Sequence, residues 1–184
     1  MRNLRLFVGG LVLTGCVVSV DAVVPSSTAT FDPRLVGRWA EVDGRDRAEV
    51  MRDSNGYAIT YTDGDGKVGH YEAHLGFLGK QLVLDVAPAS RKADAEIQEG
   101  AMLIRGHALF VMMTIASDSL RFAMLKPDSL RGALERGTVR LSYRSDHDQL
   151  ILMDATTALR SALMAYMGRP GVLDDPSTFR RITP

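Results

Sequence analysis

The chain has 184 residues, 22 basic against 22 acidic side chains, 46% hydrophobic residues and a single cysteine. Balanced charge argues against an electrostatic binder of nucleic-acid phosphates, which needs a basic face, and one cysteine excludes an internal disulfide. The length suits one domain with its own hydrophobic core, not comfortably two.

The first segment reads as an export signal. Arg2 and Arg5 flank the start of the apolar run Leu6-Phe7-Val8-Gly9-Gly10-Leu11-Val12-Leu13. That run falls within the roughly 7–15 residues of a signal-peptide core and is too short to span a bilayer permanently. Leu13-Thr14-Gly15-Cys16 then resembles a bacterial lipobox. The resemblance implies removal of residues 1–15 as a lipoprotein signal peptide and lipidation of Cys16 by palmitate-type acyl chains, the two or more anchors that stable attachment needs. Val17 rather than aspartate follows Cys16, which by the same resemblance implies the periplasmic side of an outer membrane. Two other outcomes stay open: cleavage after Ala22, giving a soluble periplasmic or secreted protein, and an uncleaved N-terminal anchor.

Behind Cys16, the stretch Pro25-Ser26-Ser27-Thr28-Ala29-Thr30 is small, polar and aperiodic. Residues 16–33 are therefore expected to form a flexible tether, with residues 34–184 as one domain. That domain opens with Leu35 to Val42. Asp46–Arg52 and Tyr57–Thr62 read as strands around Asn55-Gly56, a hairpin signal. Asp63-Gly64-Asp65-Gly66 marks the next turn. Val68 to Phe77 alternates, with Tyr71, Ala73, Leu75 and Phe77 on one side and His70, Glu72 and His74 on the other. Gly79 turns the chain into Gln81–Val86, where Asp85 is expected to point outward and be exposed.

Pro88 to Gly100, rich in alanine and charge, suits a short surface helix or loop. Leu103–Ala116 and Leu120–Leu125 restore the strand pattern. Pro127 to Gly137 reads as a helix, with proline near its first position, acid in the first turn and glycine after its end. Thr138–Arg144 and Gln149–Met153 form a further hairpin. A second helix is expected over Thr157–Met167, with Ala158, Leu159, Ala162, Leu163 and Tyr166 along one side. Phe179-Arg180-Arg181-Ile182 suits a closing strand. The fold class is mainly β: a small antiparallel barrel with one or two short helices late in the chain.

Gly37-Arg38-Trp39, on the first strand of the domain, resembles the Gly-x-Trp signature of lipocalins and related barrels. In that family the tryptophan plugs the closed end and a late arginine packs across its ring. The resemblance implies a lipocalin-like barrel, with Arg180 or Arg181 in the arginine's place. The domain also resembles a group of bacterial lipoproteins that share this opening, a Tyr-x-x-x-Tyr strand, a His-containing third segment and a late helix before Phe-Arg-Arg.

No catalytic motif emerges, and neither enzyme activity nor a cofactor is expected. Gly-x-Ser-x-Gly and Gly-x-x-x-x-Gly-Lys are both absent. His70 and His74 on one strand lie about 13 Å apart at ~3.3 Å per residue, too far to share one metal ion. Asp63-Gly64-Asp65-Gly66 lacks the glycine and glutamate that a calcium loop places at its sixth and twelfth positions. His107 and His147 have no partner nearby in sequence. Phe110, Met112, Phe122 and Met124 are the candidate pocket wall, since methionine adapts to irregular apolar ligands. The expected function is that of a membrane-tethered envelope lipoprotein binding a small apolar or amphipathic molecule. The alternative is an envelope interaction module with a filled core.

Overall fold

The computed structural model describes residues 16–54, 56–89, 106–146 and 149–182. Their frame is a closed, eight-stranded antiparallel barrel. Strands β2 (Gly37–Glu41), β3 (Arg47–Asp53), β4 (Gly56–Thr62), β5 (Val68–Leu78), β6 (Gln81–Pro88), β7 (His107–Ile115) and β8 (Ser119–Met124) each pair with the next. The last strand, β11 (Ser177–Arg181), pairs with both β8 and β2 and so closes the wall. Closure leaves the barrel no free edge, the usual liability of a sheet this size.

The turns follow from local chemistry. Asp63 Oδ1 accepts the backbone N–H groups of Asp65 and Lys67, and Gly66 takes the positive φ of 84° that an L side chain disfavours. Gly79, at φ 64°, turns β5 into β6. Between β8 and β11 the chain makes α1 (Pro127–Glu135), β9 (Tyr143–Asp146), β10 (Gln149–Leu152) and α2 (Thr156–Met167). Pro127 starts α1 where its missing N–H costs nothing, Asp128 sits in the first turn, and Gly137 at φ 68° follows the end. Helix α2 buries Leu159, Leu163, Tyr166 and Met167, while Ala158, expected on that face, is exposed.

The wall separates two cores. Inside lie Trp39, Tyr57, Leu75, Phe110 and Phe179 with their neighbours. Outside, Val83, Leu109 and Val111 of β6 and β7 are covered by α1, α2, β10 and the N-terminal residues. Each wall strand therefore presents apolar residues to both sides here, and α1 and α2 have somewhere to bury their stripes.

Residues 16–33 are not a flexible tether; they belong to the fold. Val17–Ser19 forms a strand, β1, antiparallel to β7 and parallel to β10. Val23 and Val24 are 0% and 1% exposed in the outer core. Thr30 bridges to Leu75, and Phe31 stacks on Tyr57 with centroids 5.3 Å apart. Composition suggested mobility because the polar residues are consecutive, but the two valines just ahead of them carry the packing. Burying a valine contributes about 1.5–3 kcal/mol.

Two further expectations change. Asp85 does point outward, yet it is only 2% exposed, because the N-terminal segment covers it. Its Oδ2 accepts the N–H groups of Val23 (2.7 Å) and Val24 (2.8 Å), and its Oδ1 lies 2.9 Å from His107 Nδ1. Phe77, expected in the core with Tyr71, Ala73 and Leu75, is 56% exposed near the β5–β6 turn. The expected surface segment Pro88–Gly100 lies almost wholly outside the described residues, as does His147. The β9–β10 hairpin is not part of the barrel; it extends the sheet beyond β1.

Candidate ligand site in the barrel

One end of the barrel is shut by its own polar groups. Gly37 adopts φ 142°, and a Cβ there would overlap the Arg181 guanidinium, so only glycine admits both the backbone turn and the arginine. Trp39 is fully buried and donates its Nε1–H to the Leu35 carbonyl at 2.9 Å. Arg181 places its Cζ 4.2 Å from the Trp39 ring centroid, and its guanidinium donates to the carbonyls of Val36 (2.8 Å) and Arg34 (2.7 Å) and to that of Ser117. Arg180 points away, 4.0 Å from Asp118. Of the two arginines singled out in the sequence, Arg181 is the one over the indole. The Tyr57 hydroxyl completes the plug by accepting from Asp32 N–H and donating to Asp32 O.

A cavity of about 90 Å³ is lined by Trp39, Val50, Tyr57, Phe110, Met112 and Phe122, among other residues, and presents only apolar surface. Phe110 pairs across the sheet with Met124, and Met112 with Phe122. Phe110 and Phe122 meet edge to face at 5.4 Å, and Phe122 stacks on Phe179 at 5.5 Å. The four residues read as a pocket wall are thus brought together, three around this cavity and Met124 above it.

The opposite end, where β2 turns into β3 and β11 begins, is a mouth. A second chamber of about 100 Å³ shares Tyr61, Phe110, Phe122 and Phe179 with the first cavity and is lined also by Glu41, Asp46, Asp174 and Asp175. Tyr61 donates a short hydrogen bond to Asp46. Burial first, and the Asp46 carboxylate second, push the Tyr61 hydroxyl far up, so it stays protonated. Burial also raises the Glu41 and Asp174 carboxyls, and neighbouring carboxylates raise them further; Lys126 pulls Asp174 the other way. Nothing in the sequence singled out these residues: they come from four separate segments and share no local motif.

No protein-family model, curated protein or solved structure matches the chain. Its own geometry is that of a closed eight-stranded barrel consistent with a lipocalin-like fold, plugged at one end by Trp39 and Arg181.

The remaining candidates lie elsewhere. Cys16 is 9% exposed, its thiol packed with the inner-core residues, and burial with Asp174 nearby pushes it up to about 11. His70 is exposed and lies 3.3 Å from Thr60 Oγ1, while His74 is half-buried on the same face of β5. Among the described residues no group of three His, Cys, Asp or Glu side chains could hold a metal ion. Among them, too, no helix is long and apolar enough to cross a membrane.

Proposed function

We propose that this chain is an exported envelope module, tethered to a membrane through lipid on Cys16, whose barrel takes up a small apolar or amphipathic molecule. The observation that carries the binding half is the apolar cavity over Trp39, which shares Tyr61, Phe110, Phe122 and Phe179 with a chamber at the mouth. Concave, mostly apolar sites with a few polar groups at one end are where small molecules bind, and barrel mouths are a recurrent place for them. The experiment is native mass spectrometry of the protein purified with bound lipids retained. A co-purifying small molecule is the expected result. An empty barrel that also refuses added alkyl compounds would favour the second reading, a filled core acting through its outer surface, which the small cavity volume supports.

The export half rests on residues 1–16. Processing ahead of Cys16 keeps β1, whereas cleavage after Ala22 would remove Val17 and Val18 from between β7 and β10. Attaching lipid to Cys16 has to draw its thiol from its packed place, one residue ahead of β1. Radiolabelled palmitate should enter the protein in a two-membraned bacterial host. Continued labelling of Cys16→Ala would sink the assignment.

A further inference from the structure

The charge at the mouth specifies which amphiphile the barrel would take. Glu41 and Asp46 stand on one side, joined through the backbone bond from Glu41 N–H to Asp46 O at 2.9 Å. Asp174 and Asp175 stand in the same chamber, with Asp174 fixed by its N–H on Met124 O at 2.9 Å. Among the described residues none of these four carboxylates makes a salt bridge, and no basic side chain lines the chamber. Lys126, which lowers Asp174, does not line the chamber.

The rings of Phe110, Phe122 and Phe179 line the same chamber as the carboxylates and also line the apolar cavity. Aromatic faces attract a desolvated cation, most of all one with a soft, diffuse charge such as a quaternary ammonium. Carboxylates without a salt-bridge partner, even with Tyr61 donating to Asp46, favour a cation and repel an anion. A chain entering from this end would leave its head between the carboxylates and the rings. Its tail would run down the apolar cavity toward Trp39.

We infer that the ligand class of this barrel is a single-chain amphiphile with a cationic head, an alkyl amine or alkylammonium, rather than a fatty acid. The inference rests on the reading of the cavity as a binding site and adds the sign of the head. Trp39 is the chain's one tryptophan and lines the cavity, so its fluorescence reports occupancy directly.

The test is a titration of the purified protein with octyltrimethylammonium, octanol and octanoate, each followed by Trp39 fluorescence. The ammonium should bind at least tenfold more tightly than octanol and octanoate more weakly than both, with the ammonium's advantage shrinking as salt is raised. Glu41→Gln combined with Asp174→Asn should remove most of that advantage and leave octanol binding unchanged. Equal binding of ammonium and octanol, or tightest binding of octanoate, would overturn the cationic head while leaving the pocket standing. No response to any of the three, with no heat of binding by calorimetry, would overturn the pocket and the head-group inference with it.

Discussion

The two faces of the barrel wall are built on opposite terms. The inner face is apolar throughout its cavity, which Trp39 lines. The outer face beside β6 is packed by two helices and the N-terminal segment, and at its centre sits one buried carboxylate, Asp85. Apolar packing is tolerant of direction, so an interior built only from it can keep a void and still hold its shape. A buried carboxylate is not tolerant: it needs its hydrogen bonds in place, and it therefore dictates where Val23 and Val24 must lie. Arg160 and Thr156 of α2 add to this, donating to Val23 O at 2.7 Å and Ala22 O at 2.7 Å. The inner face is specified by volume and the outer face by a polar lock.

Four measurements would break or sharpen that contrast. Trp39→Ala removes the largest fully buried side chain of the inner face and should cost about 3–5 kcal/mol in urea unfolding. Asp85→Ala, on the outer face, leaves two buried N–H groups without an acceptor and should cost about 3 kcal/mol. Its signature is distinct: the amides of Val23 and Val24 should lose protection from hydrogen exchange while the barrel interior keeps it. If both substitutions loosened the same amides, the two faces would be one cooperative lock and the contrast would fall.

A smaller effect should come from pH. The hydrogen bond to Asp85 raises His107 above the ordinary imidazole value of 6.5, with the charges of Asp85, Glu72 and Asp21 acting in the same direction against desolvation. A group whose pKa is raised by folding stabilises the fold fully below its unfolded value. That stabilisation fades as pH climbs through the raised value. The urea midpoint should therefore fall on the alkaline side of 6.5, and His107→Gln should flatten the decline. The smallest effect belongs to Arg45→Ala. Its contact with Asp65 is 3.6 Å long and both side chains are 78% exposed, so stability should move by less than about 0.5 kcal/mol.

Most of the wall was legible in the sequence because its turns are written locally. Asp63-Gly64-Asp65-Gly66 and Gly79 mark where β4 gives way to β5 and β5 to β6, and the Gly37-x-Trp39 pair names the closed end. The helices were legible from Pro127 and from the spacing of Leu159, Leu163 and Tyr166. What escaped was whatever depends on distant partners. Alternation correctly turned Asp85 outward, but no local pattern says that residues 23 and 24 cover it. The mouth is harder still, since Glu41, Asp46, Asp174 and Asp175 meet only once β11 has closed the barrel.

Strand β1 has a consequence for the order of assembly. Val17 finds its neighbours in Leu150 of β10 and, one residue on, Val18 in Ala108 of β7. On the ribosome Val17 and Val18 therefore emerge long before either partner, β7 following first and β10 only later. For most of synthesis Val17-Val18 is a bare, β-prone apolar segment, the kind that seeks out the wrong edge. A nascent chain of this protein should need a companion for its front end, and the demand should end when residue 152 is free to fold.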